Sequence, residues 1–271
     1  MQKLFYNILL PVDLGKTTFA NVEKAVQLAN RLECNLHVLF TMARPVALEN
    51  IFFKSHLEKK IREKRALLSE LQKHFSQQML PGSLLIASFQ KGDVHEQTAR
   101  YALDHSIDLV YYDEALSMFH SPYLDIHRLT DEISCPVLIG KSEPGLESLD
   151  KIVLPVDEQL SADHVRVAIF MAQQLDAAIH LVGNTQEGNG AKNIRYLTKA
   201  YELLKDNTGL ELVCSTFSGN EKERSTLHYA QSVRAGLIVA NRTKQAGFKG
   251  EAAGFLHGNM NRKDNIPVLL V

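Results

Sequence analysis

Long hydrophobic runs are missing from this chain: no apolar stretch approaches the ~20 residues that a membrane-spanning helix requires. Cysteine is scarce, with only Cys34, Cys135 and Cys214. An odd number without a CxxC pair excludes a disulfide framework and offers no four-ligand zinc signature. The three are expected to be small, partly buried side chains in a reducing compartment. Excess charge of either sign is missing too. Lys and Arg number 30 against 31 Asp and Glu, a formal net charge of -1, so no global field recruits nucleic acid or an anionic membrane. The segment from Met1 to Asp13 has neither an apolar signal core nor a small-residue cleavage site, and a cytoplasmic location is the expectation. The Walker loop, G-x-G-x-x-G and the G-x-S-x-G elbow are also absent. Ser, His and Asp can be combined in many ways here, but no such elbow presents a nucleophile.

What is present is said twice. Residues Ile8 to Asp13 read ILLPVD and Ile152 to Asp157 read IVLPVD. Each run leads through a polar turn into a helical pattern, then into a second strand, LHVLF from Leu36 and IHLV from Ile179. A repeat this long marks a duplicated domain rather than a solenoid. A length of 271 residues suits two domains of roughly 100–150 residues. Residues 1–141 and 151–271 are expected to be the two domains, with the Pro- and Gly-containing residues 142–150 as linker.

In the first half, strands are expected at Asn7 to Val12, Leu36 to Thr41, Leu84 to Phe89, Asp108 to Tyr112 and Val137 to Ile139. Helices are expected near Phe19 to Leu32, Leu48 to Gln78, after the Lys91-Gly92-Asp93 turn, and from Pro122 to Ile133. The second half repeats the order, with strands at Glu211 to Phe217, Gly236 to Ala240 and Pro267 to Val271. Strands apolar nearly throughout, alternating with helices, imply parallel sheets covered on both faces. Ligands in such sheets sit beyond the carboxyl ends of the strands, where Asp13, Asp113, Asp157, Asn184 and Asn241 lie.

The ordered set LLPVD and VLPVD, LHVL and IHLV, Lys91-Gly92-Asp93, DLVYY and GLIVAN, PVLIG and PVLLV resembles the universal stress protein family in its tandem form, across essentially the whole chain. That resemblance implies an α/β fold of two flavodoxin-like (adenine-nucleotide-hydrolase-like) doubly wound domains, each a five-stranded parallel sheet in order 3-2-1-4-5. It also implies a pseudo-two-fold tandem, an intrachain pseudo-dimer in which Val137-Ile139 and Val268-Val271 pair antiparallel and hide two sheet edges. A further homodimer and a protein partner remain expectations without a named surface. Neither nucleic acid nor membrane is expected as a partner.

Family members that bind ATP carry G-x2-G-x9-G-(S/T) after strand four, a loop whose backbone N–H groups and following helix N-terminus meet phosphates. Counted back from Pro267, its marked positions are Asn241, Lys244, Gly254 and Phe255, and only Gly254 matches. Phe255 offers no hydroxyl, whereas Lys244 supplies a charge. Gly247, Gly250 and Gly258 fall in another register. In the first half the loop opens Asp113-Glu114, two carboxylates that repel phosphate. Asp13 and Asp157 match the position that meets adenine, with Thr41 beside Asp13 at the end of strand two, and both aspartates are also suited to capping the next turn or helix. The implied reading is a non-catalytic stress-response binding protein with a degenerate ATP loop and no cofactor. The alternatives are a nucleotide binder with slow ATP hydrolysis, using Asp157, Asn184, Asn241, Lys244, Gly254 and Phe255, and a sensor of an apolar small molecule lined by Phe52, Phe53 and Phe255. The first-half set Asp13, Thr41 and Asp113 is expected to be vestigial. His37 and His180 are read as packing partners. His120, Asp125 and His127 form a loop cluster without defined metal geometry, and no metal is expected.

Overall fold

The computed structural model describes residues 3–43, 54–113, 124, 126–140, 149–157, 160–185, 190–218, 222–242 and 266–271. It divides into two compact units. One is Phe5–Cys135; the other combines Met1–Leu4 with Pro136–Val271.

In the first unit, β1 (Asn7–Val12), β2 (Asn35–Met42), β3 (Leu85–Lys91) and β4 (Leu109–Asp113) form a parallel sheet in the order β3-β2-β1-β4. Its helices are α1 (Thr18–Arg31), α2 (Lys54–Ser76), α3 (Val94–Asp104) and α4 (Ile126–Glu132). Strands β1 and β2 are buried along almost their whole length, as the unbroken apolar runs require when both faces are covered.

In the second unit, β5 (Val137–Gly140) is followed by β6 (Lys151–Val156), α5 (Ala162–Leu175), β7 (Ala178–Asn184), α6 (Gly190–Asn207), β8 (Leu212–Phe217), α7 (Lys222–Ser232), β9 (Leu237–Ala240) and β10 (Val268–Leu270). The parallel order is β8-β7-β6-β9-β10, which is 3-2-1-4-5 within the repeat. Strand β5 pairs antiparallel with β10, Val268 opposite Ile139 and Leu270 opposite Val137. This pairing explains why β5 belongs to the second compact unit although it is the last strand of the first repeat.

The repeats share backbone detail as well as order. Both α1 and α5 end on a left-handed residue, Glu33 (φ 55) and Asp176 (φ 53). The next N–H then reaches back into the helix, Cys34 to the Ala29 carbonyl and Ala177 to that of Ala172, each at 2.8 Å. Ser106 and Arg234 do the same after α3 and α7, with Ile107 and Ala235 bonding to Ala102 and Ala230. These closures satisfy carbonyls that a helix end leaves unpaired. Gly92, at φ 146, opens the turn into α3, and the Asp93 side chain caps that helix by accepting from the N–H groups of His95 and Glu96.

Cys34 is buried, Cys135 is half-buried and Cys214 is exposed, and all three are free thiols. The expectation of partial burial fails for Cys214 because β8 is an edge strand with alternate residues facing outward. No described helix is long and apolar enough to cross a membrane.

Candidate functional site

The carboxyl ends of the strands gather most of the expected residues within each unit. In the first, the Asp13 carboxylate turns back on its own loop, accepting from the Gly15 N–H at 2.7 Å and the Thr18 hydroxyl at 3.3 Å. A Cβ at Gly15 would sit 2.9 Å from the Asp13 carboxylate, so a side chain there would push that carboxylate aside. Lys64, from α2, donates to the Leu14 carbonyl at 3.0 Å and lies 5.7 Å from the centre of the Phe40 ring. Thr41 is buried at the end of β2, and Asp113 is fully buried at the end of β4. The Asn21 amide, turned to donate, reaches Asp113 Oδ2 at 2.9 Å. Burial first, and then the Asp113 charge, push the Tyr111 phenol upward.

In the second unit the equivalent aspartate is used differently. Asp157 forms an ion pair with Lys222, the first residue of α7, and each side chain is about one quarter exposed (23% and 24%). Capping of α5 falls to Ser161 instead. Its Oγ accepts from the His164 N–H at 3.4 Å and lies 2.7 Å from His164 Nδ1. Burial lowers the His164 pKa against the opposing pull of Asp157, Asp163 and the Ala240 backbone. The Asn184 carbonyl at the end of β7 accepts from the Asn193 side chain at 2.8 Å. Asn241 follows β9 and is half-buried. Lys244, Gly254 and Phe255 lie outside the described residues, as do Glu114, His120, Asp125, Phe52, Phe53 and the remaining glycines of that loop. His127 contributes backbone to α4, and among the described residues no group of His, Cys, Asp and Glu is suited to a metal.

A second constellation appears in both units. His37 on β2 shares a 3.0 Å hydrogen bond between Nδ1 and the Tyr101 hydroxyl, which in turn lies 3.0 Å from Ser88 Oγ on β3. In the other unit His180 Nδ1 lies 2.8 Å from the Tyr229 hydroxyl, which accepts from Ser215 at 3.0 Å. The expected packing histidines are thus hydrogen-bonded ones. Burial, assisted by His105, lowers the His37 pKa to about 4. Burial also lowers that of His180.

The second unit also holds a cavity of about 660 Å³ between α5 and α6, walled by apolar side chains with Arg166 and Lys199 beside it.

Comparison with solved structures bears on the fold. Over 97% of this chain and 95% of the other, the structure superposes on a universal stress protein from Archaeoglobus fulgidus with a TM-score of 0.74 at 14% identity. The chain has the fold of the tandem universal stress proteins. A structure assigned to the universal stress proteins of Pseudomonas aeruginosa gives a TM-score of 0.61 at 15% identity, covering 99% and 94% of the two chains. The cytoplasmic domain of a prokaryotic cation chloride cotransporter gives 0.53 at 11% identity, covering 98% and 95%, so this fold also serves as part of a larger protein. No family model and no curated sequence matches the chain.

Against the universal stress protein pattern, the sequence reading missed Lys222, Ser161, His164 and the α5/α6 cavity. Lys222 stands at the start of α7, where a single cation gave no periodic signal. Ser161 and His164 carried one usable sign: a serine three residues before a polar position at a helix start is a capping pattern. The cavity had none, because helix α6 was implied by the repeated order but given no residues.

Proposed function

We propose that this chain is a non-catalytic stress-response binding protein whose strand-end crevices do not take ATP. The observation that carries the reading is the Asp157–Lys222 ion pair. The carboxylate at the position expected to meet adenine is already engaged by a cation from the same unit. Recruiting it for a base breaks that pair and leaves a part-buried charge to be resolved. In the first unit, the fully buried Asp113 carboxylate stands where a phosphate loop would begin, and like charges at short range in a poorly solvated site repel strongly. Asp13 is spent on its own turn. Neither unit joins a nucleophile, a base and an anion-stabilising group in one place among the described residues.

One observation favours a nucleotide instead. Lys222 stands at the N-terminus of an 11-residue helix, where its charge adds to the positive end of the helix dipole. Calorimetric titration of the nucleotide-stripped protein with ATP and Mg²⁺ separates the two readings. No heat at millimolar ATP, with an unmoved melting temperature, is the expected outcome. Micromolar binding that Lys222→Ala or Lys244→Ala abolishes would replace the proposal with a nucleotide-binding function of the second unit.

A further inference from the structure

The two repeats serve as internal controls for each other, and they differ most between the first two helices of each unit. The left-handed closures at Glu33 and Asp176 and the paired histidines His37 and His180 set the correspondence of α1 with α5. The buried triplets Leu68, Leu71, Phe75 and Leu197, Ala200, Leu204, with identical spacing, set that of α2 with α6.

In the first unit larger side chains pack at this interface, although Phe19 itself stays 40% exposed. The Phe19 ring of α1 lies 5.8 Å from that of Phe75, Leu71 is 1% exposed, and Val22 and Val26 are 0% and 2% exposed. In the second unit Phe19 is replaced by Ala162, Leu71 by Ala200 and Phe75 by Leu204. Three large side chains have become smaller at one interface. The result is the 660 Å³ cavity, and the residues matching Val22 and Val26, which are Val165 and Ile169, are only half-buried. Charge changes in the same place. Glu23 corresponds to Arg166 and Glu70 to Lys199, so two exposed acids of the first unit are bases at the cavity in the second, while Ala20 becomes the acid Asp163. Among the described residues, the acid lining the cavity is Asp157, which is neutralised by Lys222, and Arg166 pairs with Asp163 at the surface, so Lys199 carries the charge argument.

We propose that this cavity is a binding site for a single-chain amphiphile with an anionic head, of the fatty-carboxylate class. The chain lies against Leu160, Val165, Ile169, Phe170 and Leu204, and the carboxylate lies at the Arg166 and Lys199 side. Its volume is within the few hundred to 1,000 Å³ typical of small-molecule sites, and apolar walls with few polar groups are their usual composition. Leu203, 55% exposed at the cavity, gives the chain an apolar entry. The cavity meets the strand-end crevice at Asp157, but Lys199 lies on α6 away from it, so the Lys199→Glu variant reads this site apart from the ATP titration.

Dodecanoate, titrated into the full-length protein by calorimetry, is the test. One molecule is expected to bind per chain with micromolar Kd. Ala200→Leu with Leu204→Phe, which restores the side chains of the first interface, is expected to weaken binding at least tenfold. The circular dichroism spectrum checks that this variant is folded. Lys199→Glu, a surface change that returns the acid of the first repeat, is expected to weaken dodecanoate at least fivefold and dodecanol less than twofold. It serves as the decisive variant if the filled one does not fold. No dodecanoate binding, equal affinity in the folded filled variant, or a Lys199→Glu change that leaves dodecanoate unaffected overturns the proposal.

Discussion

Acid sensitivity follows from His37 in a way that can be calculated and checked. The imidazole is 4% exposed, its Nδ1 faces the Tyr101 hydroxyl, and its folded-state pKa falls from 6.5 to about 4. The folded state therefore binds this proton less readily than the unfolded chain. Stability from this group is fully present above pH 6.5, declines as pH falls from 6.5 towards 4, and changes little below that. The displacement corresponds to about 3 kcal/mol at most. His180 and His164, both shifted the same way by burial, add to the decline.

Urea unfolding at pH 7.5 and pH 4.5, with and without His37→Gln, measures the contribution. Glutamine keeps a polar group near Tyr101 but takes up no proton. The variant should be less stable at neutral pH, since a buried partner is disturbed. Its loss of stability between the two pH values should be smaller than that of the parent by about 2.5 kcal/mol, since pH 4.5 still lies above the folded-state pKa. An NMR titration of the folded protein should show His37 neutral down to pH 5. Titration near 6.5, or the same pH dependence in variant and parent, would refute the reasoning.

Two further outcomes can be read from single positions. Ser161→Ala removes the α5 cap and the hydroxyl beside His164 Nδ1, and should cost about 1 kcal/mol in thermal or denaturant unfolding. Exposed Cys214 on the edge strand should be alkylated first in the native protein, slowly at neutral pH because burial around the sulfur raises its pKa. Buried Cys34, whose Sγ donates to the Phe5 carbonyl at 3.1 Å, should react only on unfolding, and mass mapping of labelled peptides distinguishes the two.

Strand identity was legible because β1 and β6 are unbroken apolar runs closed by the same Pro-Val-Asp, and burial on both faces demands that composition. Helix α1 was legible for the same reason: its apolar positions recur at helical spacing. Helix α6 was not, although its buried Leu197, Ala200 and Leu204 keep that spacing. Alanine is a weak apolar marker, and the exposed Ile194 and Leu203 widen the stripe until it no longer has an edge. Asp157 was legible as a position but not as an interaction. Its partner Lys222 is 65 residues away in sequence, and no local pattern reports which charge a fold will bring across a sheet. The same limit applies to Tyr101 and Tyr229: the histidines were visible as a repeated pair, but their hydrogen-bond partners were not.

Duplication also separates what the fold needs from what one unit does alone. The left-handed helix closures and the His–Tyr–Ser networks occur in both units, and each has a purely structural explanation in satisfied buried polar groups. The strand-end aspartates have already diverged, one spent on its turn and one on a lysine. The α5/α6 interface has diverged further: Phe19, Leu71 and Phe75 give way to Ala162, Ala200 and Leu204, and Glu70 to Lys199. A cavity of that size forfeits packing energy, since each buried methylene lost from a core costs about 1 kcal/mol. Drift towards a merely looser core accounts for the volume but not for the change of Glu70 to Lys199 beside the same opening, since Arg166 already pairs with Asp163. The proposed ligand would account for both, because an apolar chain would restore the lost contacts and an anionic head would meet Lys199.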